Sequence, residues 1–98
     1  MPEMRFTIRW PDGTEAVCYS PSLVIRDHFV PGTDYPLGDF VARSRKALGL
    51  ASDRVMARYG MPCTRALSQL DRIEHRARDF SALPGTKVTV VAFLDGGA

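Results

Sequence analysis

The sequence predicts an α+β domain: a three-stranded, mostly antiparallel sheet, built from an N-terminal hairpin plus a C-terminal strand, with two or three helices packed on one face. Three observations predict it. Met4 to Trp10 alternates with period two, Met4, Phe6, Ile8 and Trp10 facing one way and Arg5, Thr7 and Arg9 the other. Pro36 to Phe80 carries apolar residues at three- and four-residue spacing. Lys87 to Leu94 is a β-branched, apolar run of strand length.

The hairpin turns at Pro11-Asp12-Gly13. Proline suits the first central position of a type I turn, and glycine takes the left-handed position after it. A three-residue loop closed by Trp10 and Thr14 follows. Its register pairs Arg9 with Glu15, Ile8 with Ala16, Thr7 with Val17 and Phe6 with Cys18. A two-residue loop would turn Cys18 outward, because a one-residue slip flips every side chain.

Ser20 as N-cap and Pro21 at the first helical position predict a short helix to about Phe29, ended by Pro31-Gly32. A longer helix opens at Pro36, with Leu37, Phe40, Val41, Ser44 and Leu48 as its inner stripe. Gly49 reads as a C-terminal cap, with a restart at Ser52 carrying Val55, Met56 and Tyr59. The stripe also runs through the break, so one kinked helix from Pro36 to Tyr59 competes with two separate helices. Gly60 and Pro62 stop it. Thr64 then caps a helix with Leu67, Leu70, Ile73, Ala77 and Phe80 inward, and Arg65, Gln69, Asp71, Arg72, Arg76 and Arg78 outward. Leu83-Pro84-Gly85 leads into the last strand, and residues 95–98 are expected to fray.

Residues 1–98 are read as a single domain, since no linker, repeat or low-complexity segment divides them. At 45% hydrophobic and 24% charged residues, the chain is neither disordered nor membrane-spanning. The start MPEMRFTIRW shows no basic region followed by an apolar stretch, so a cytoplasmic location is expected, with Cys18 and Cys63 as reduced thiols.

The formal charge is only +2, but it is unevenly spread. Ala42 to Arg78 holds nine Lys and Arg against three Asp and Glu, leaving −4 for the remainder. Eleven of the thirteen cations are Arg, whose guanidinium group suits bidentate contact with carboxylates. An acidic protein partner fits this half; solvated helix faces are the simpler explanation. Without a helix-turn-helix core or stacking aromatics, the pattern argues against nucleic acid, and nothing points to a membrane.

Reactive residues are few. Cys18, with Asp27 and His28, has the chemistry of a thiol nucleophile with a base, yet no catalytic-cysteine signature surrounds it, and a strand cysteine ordinarily fills apolar space. Tyr19, Ser20 and Ser22 bring hydroxyls to a helix start, where they cap the helix or help to hold an anion. Cys18, Tyr19, Ser20, Ser22 and His28 are therefore the candidate ligand-binding residues. No catalytic residue is assigned. No metal-ligand spacing or nucleotide loop occurs, so no metal or other cofactor is expected.

The blocks MPEMRFTIRWPDG, CYSPSLVIRDHFVPG, YPLGDFVARSRKAL and RYGMPCTRALSQL, in this order, resemble a family of short bacterial nitrogen starvation response proteins. The resemblance runs from Met1 to about Phe93, and only the Leu94–Ala98 tail departs from it. It implies a setting: gene clusters that also encode a nitrilase, a radical enzyme, an acetyltransferase and a flavin-dependent oxidoreductase, linked to nitrogen limitation and nitrile or cyanide assimilation. It carries no catalytic residue. The expected function is a small non-enzymatic accessory protein, docking on a cluster enzyme or on itself. The alternative is a small enzyme or enzyme subunit using Cys18 or the Tyr19–Ser22 segment. A homodimer is also expected, because Lys87 to Leu94 has one charge, at its start, and would form an unguarded sheet edge.

Overall fold

The computed structural model describes residues 3–94. Strand β1 (Met4–Arg9) pairs antiparallel with β2 (Glu15–Ser20) in the register expected from the three-residue loop, Phe6 opposite Cys18 and Arg9 opposite Glu15. The loop geometry follows from its residues. Gly13 takes φ 88°, the Gly13 amide donates to Trp10 O at 2.9 Å, and the Trp10 amide donates to Thr14 O at 2.8 Å.

Ser22, two residues beyond the expected cap, accepts from the Val24 amide and starts a 3₁₀ segment over Leu23–Asp27. The β-branched Val24-Ile25 pair stays in this tighter turn and does not build a full helix. A fourth strand, β3 (Thr33–Pro36), follows; the sequence reading held three. Its four residues include Asp34 and Pro36, both poor strand formers, which hides it from propensity.

Helix α1 (Leu37–Tyr59) runs unbroken for 23 residues. Gly49 lies in its interior and is not a cap, and Ser52 does not open a new helix. The Ser52 hydroxyl instead accepts from the Cys63 amide at 3.1 Å and fixes the connection to α2 (Thr64–Arg78). Gly60, at φ 77°, ends α1 with its amide on Met56 O. Cys63 is the N-cap residue of α2, and the helix has no side-chain cap.

Strand β4 (Lys87–Leu94) completes an antiparallel sheet of order β2-β1-β4-β3. It therefore lies inside the sheet, with β3 covering Lys87 to Val90, and the premise of an unguarded edge strand fails there. The ladder with β1 slips between Thr7 and Ile8, leaving Val91 as an extra residue. That bulge reverses the alternation, so Val88 and Val90 before it and Phe93 after it all serve the core.

Met4, Phe6, Ile8 and Trp10 are all buried under the helices, as their alternation requires. Trp10 packs on Phe40 and Phe80, and Phe29 on Phe6, Phe40 and Tyr35, so one aromatic chain joins sheet, loop and helices. On α2 two expectations reverse: Gln69 is buried and Leu67 is exposed. The expected frayed tail, 95–98, lies outside the described residues. Among those described, no helix is long and apolar enough to cross a membrane.

Candidate functional site

The five residues singled out in the sequence occupy different surroundings. Cys18 faces the core from β2, and burial pushes its thiol up to about 12, against an opposing pull from the Arg72 charge. At neutral pH it is a protonated apolar filler and not a thiolate. Ser20 is fully buried, donates to Ser22 O at 2.7 Å and accepts from the Ser22 amide. Ser22 accepts from the Val24 amide and from Arg54 Nη1 at 3.1 Å. Both hydroxyls are committed to the turn and to its link with α1.

Tyr19 alternates to the opposite face, where the Arg65 guanidinium lies 3.9 Å from its ring centroid. Burial and a hydrogen bond with Glu3 raise its phenol above the usual value. Its backbone amide donates to Gln69 Oε1 at 3.0 Å, so a buried carboxamide of α2 takes an outward-pointing strand amide. His28 stands apart, closing the 3₁₀ segment, and its carbonyl accepts from Arg43 Nη1 at 2.9 Å. The structure thus places Cys18, Tyr19 and Ser20 on β2 and Ser22 in the turn that follows it, and ties His28 to α1. Among the described residues, no group of three or more His, Cys, Asp and Glu is placed to hold a metal ion.

Two features lie at opposite ends of the α1–α2 hairpin. The first is a cleft of about 560 Å³, where the start of α1, the end of α2 and the 81–86 connection meet. Leu37, Val41, Ala77 and Leu83 give it an apolar lining. Arg45, Glu74 and Arg78 give it charge. Arg45 donates to Glu74 Oε2 through Nε at 2.7 Å, joining the two helices across the cleft. Sequence reasoning missed it because three separate segments build it. Its trace in the sequence is Leu37 and Val41 at the helix start, which share the lining with the small Ala77.

The second feature is the hairpin tip. The buried stripe of α1 stops at Ser52, two turns before the helix does. Beyond it Met56, Tyr59 and Met61 are 47%, 62% and 70% exposed. Arg58 lies against the Tyr59 ring, and Arg54 and Arg65 stand at either side in sequence. An apolar helix end normally gains its stability from packing, yet among the described residues the Met56, Tyr59 and Met61 side chains are left largely uncovered.

No curated protein sequence and no solved structure matches the chain. The model of the nitrogen starvation-induced protein NitG family matches residues 5–93, from β1 to within one residue of the end of β4, and the chain belongs to that family.

Proposed function

We propose that this protein is a non-enzymatic accessory protein of the nitrogen starvation response that docks, through the tip of its helical hairpin, on an acidic surface of a partner protein. The projecting tip carries this reading. Met56, Tyr59 and Met61 offer exposed apolar contact beside Arg54 and Arg58, neither of which has an acidic partner among the described residues. Aromatic, Met and Arg side chains dominate interface cores, and arginine pairs bidentately with carboxylates. The gene-cluster setting implied by the resemblance supports an enzyme of nitrile or cyanide assimilation as the partner. The enzymatic alternative has weaker support, because the Cys18 thiol is buried and protonated and the Ser20 and Ser22 hydroxyls serve the turn.

The test compares the tagged chain with its Met56→Asp/Tyr59→Asp variant, each recovered from nitrogen-starved cells. The expected result is one cluster enzyme retained by the parent and lost by the variant, with binding of that purified enzyme weakening at high salt. Equal recovery by both chains, or binding insensitive to salt, overturns the proposal.

A further inference from the structure

We propose that the cleft between the start of α1, the end of α2 and the 81–86 connection binds a small carboxylate with an apolar body. The site is independent of the hairpin tip and lies at the other end of the helices.

Size comes first. About 560 Å³ falls within the range of small-molecule sites, roughly 300–1,000 Å³, which are mostly apolar with a few fixed polar groups. Here Leu37, Val41 and Leu83 line the cleft while remaining at least partly open to solvent, and Leu83 is 55% exposed. An apolar occupant would remove that surface from water.

Charge sets the rest. Two guanidinium groups, Arg45 and Arg78, line the cleft with one carboxylate, Glu74. Glu74 is bonded to Arg45, so these two charges balance each other. Arg78 has no acidic partner among the described residues. The lining therefore lacks one negative charge, which a monoanion supplies, and guanidinium geometry matches a carboxylate. A dianion such as phosphate would overshoot that balance and leave the apolar lining wet.

Gly38 also borders the cleft, and its backbone does not need glycine: its φ is not positive, and an added Cβ would meet nothing within 4 Å. Helix propensity favours nearly any other residue there. Glycine here leaves the rim of the cleft open.

The experiment titrates the full chain with phenylacetate, hexanoate, phenylacetamide and inorganic phosphate, read by amide chemical shifts and calorimetry. The expected result is saturable binding of the two carboxylates, with shifts centred on residues 37–45 and 74–86. Phenylacetamide should bind at least tenfold more weakly. Arg78→Gln should weaken phenylacetate at least tenfold, and Gly38→Phe should block it with the remaining spectrum unchanged. Arg78→Gln keeps the test decisive should Gly38→Phe disturb the helix. No saturable shift with either carboxylate overturns the proposal. So does amide binding equal to carboxylate, phosphate binding as tight as phenylacetate, or no loss in Arg78→Gln.

Discussion

Asp12 and Arg76, 64 positions apart in sequence, meet at 2.7 Å, carboxylate Oδ2 to guanidinium Nη2. The contact fastens the hairpin loop to the last turn of α2. Asp12 Oδ1 meanwhile accepts from the Thr14 amide and hydroxyl, and Arg76 also reaches Asp79 and stacks near Phe80. One turn aspartate thus organises its own loop and anchors a helix.

These bonds, the Thr14 hydroxyl's foremost, hold the Asp12 carboxyl at about 2 against an ordinary 3.8. Between those values the unfolded chain binds more protons than the folded one, so stability falls as pH drops through this window. Urea midpoints measured from pH 6 to pH 2 should decline most steeply below about pH 4. Asp12→Asn should flatten that decline; an unchanged slope would remove Asp12 as its source.

The two cysteines should react at different rates. Cys18 is buried and held protonated, whereas Cys63 is half-exposed at the start of α2. A thiol reagent at neutral pH should label one site in the folded chain and the second only after denaturation. Peptide mapping should place the first label on Cys63. Rapid native labelling of Cys18 would contradict its burial.

Gln69→Leu should cost about 1–3 kcal/mol, because it strands the Tyr19 amide without its acceptor. Leu67→Gln, two positions away on the solvent side, should change stability by less than about 0.5 kcal/mol. Chemical denaturation ranks the pair, and the reverse order would restore the face that spacing alone suggests.

Gly49→Ala should stabilise the chain by about 0.5–1 kcal/mol, since Gly49 lies inside α1 and an added Cβ meets nothing. A drop in melting temperature would instead indicate a break in the helix at this point.

Phe6→Ala should cost about 3–5 kcal/mol, as Phe6 is fully buried and stacks on Phe29. Arg45→Ala should cost less than about 0.5 kcal/mol, its ion pair with Glu74 being largely solvated. Urea midpoints of the two variants check the ordering.

The hairpin was legible because Pro11-Asp12-Gly13 fixes loop length and the alternating strand fixes the face. The helical hairpin was legible in outline, and its unbroken first helix was one of two open readings. β3 was not, because Asp34 and Pro36 earn their places through pairing with β4, which no local propensity records. The α2 face was misassigned by two residues whose roles are tertiary. Gln69 is buried because Tyr19 needs an acceptor, and Leu67 is exposed because no element reaches over it. The inward orientation of Cys18 followed from the three-residue loop register. The cleft and the bare hairpin tip depend on where separate segments end in space, which periodicity does not encode.

The position of β4 also orders the birth of the fold. This strand is translated after every element it joins, yet it stands between β1 and β3 and binds the two halves of the sheet together. Without residues 87–94 the β1–β2 hairpin and β3 share no backbone ladder, and only side-chain contacts such as Trp10 on Phe40 and Gln69 on the Tyr19 amide link the hairpin to the helices. β4 supplies the partner for the β1 edge and, through Val88 and Val90, part of the core beneath it. The ladders that close the sheet therefore join residues distant in sequence, the kind of contact that slows folding. Truncation within residues 87–94 removes the keystone between β1 and β3 while every preceding element stays intact in sequence.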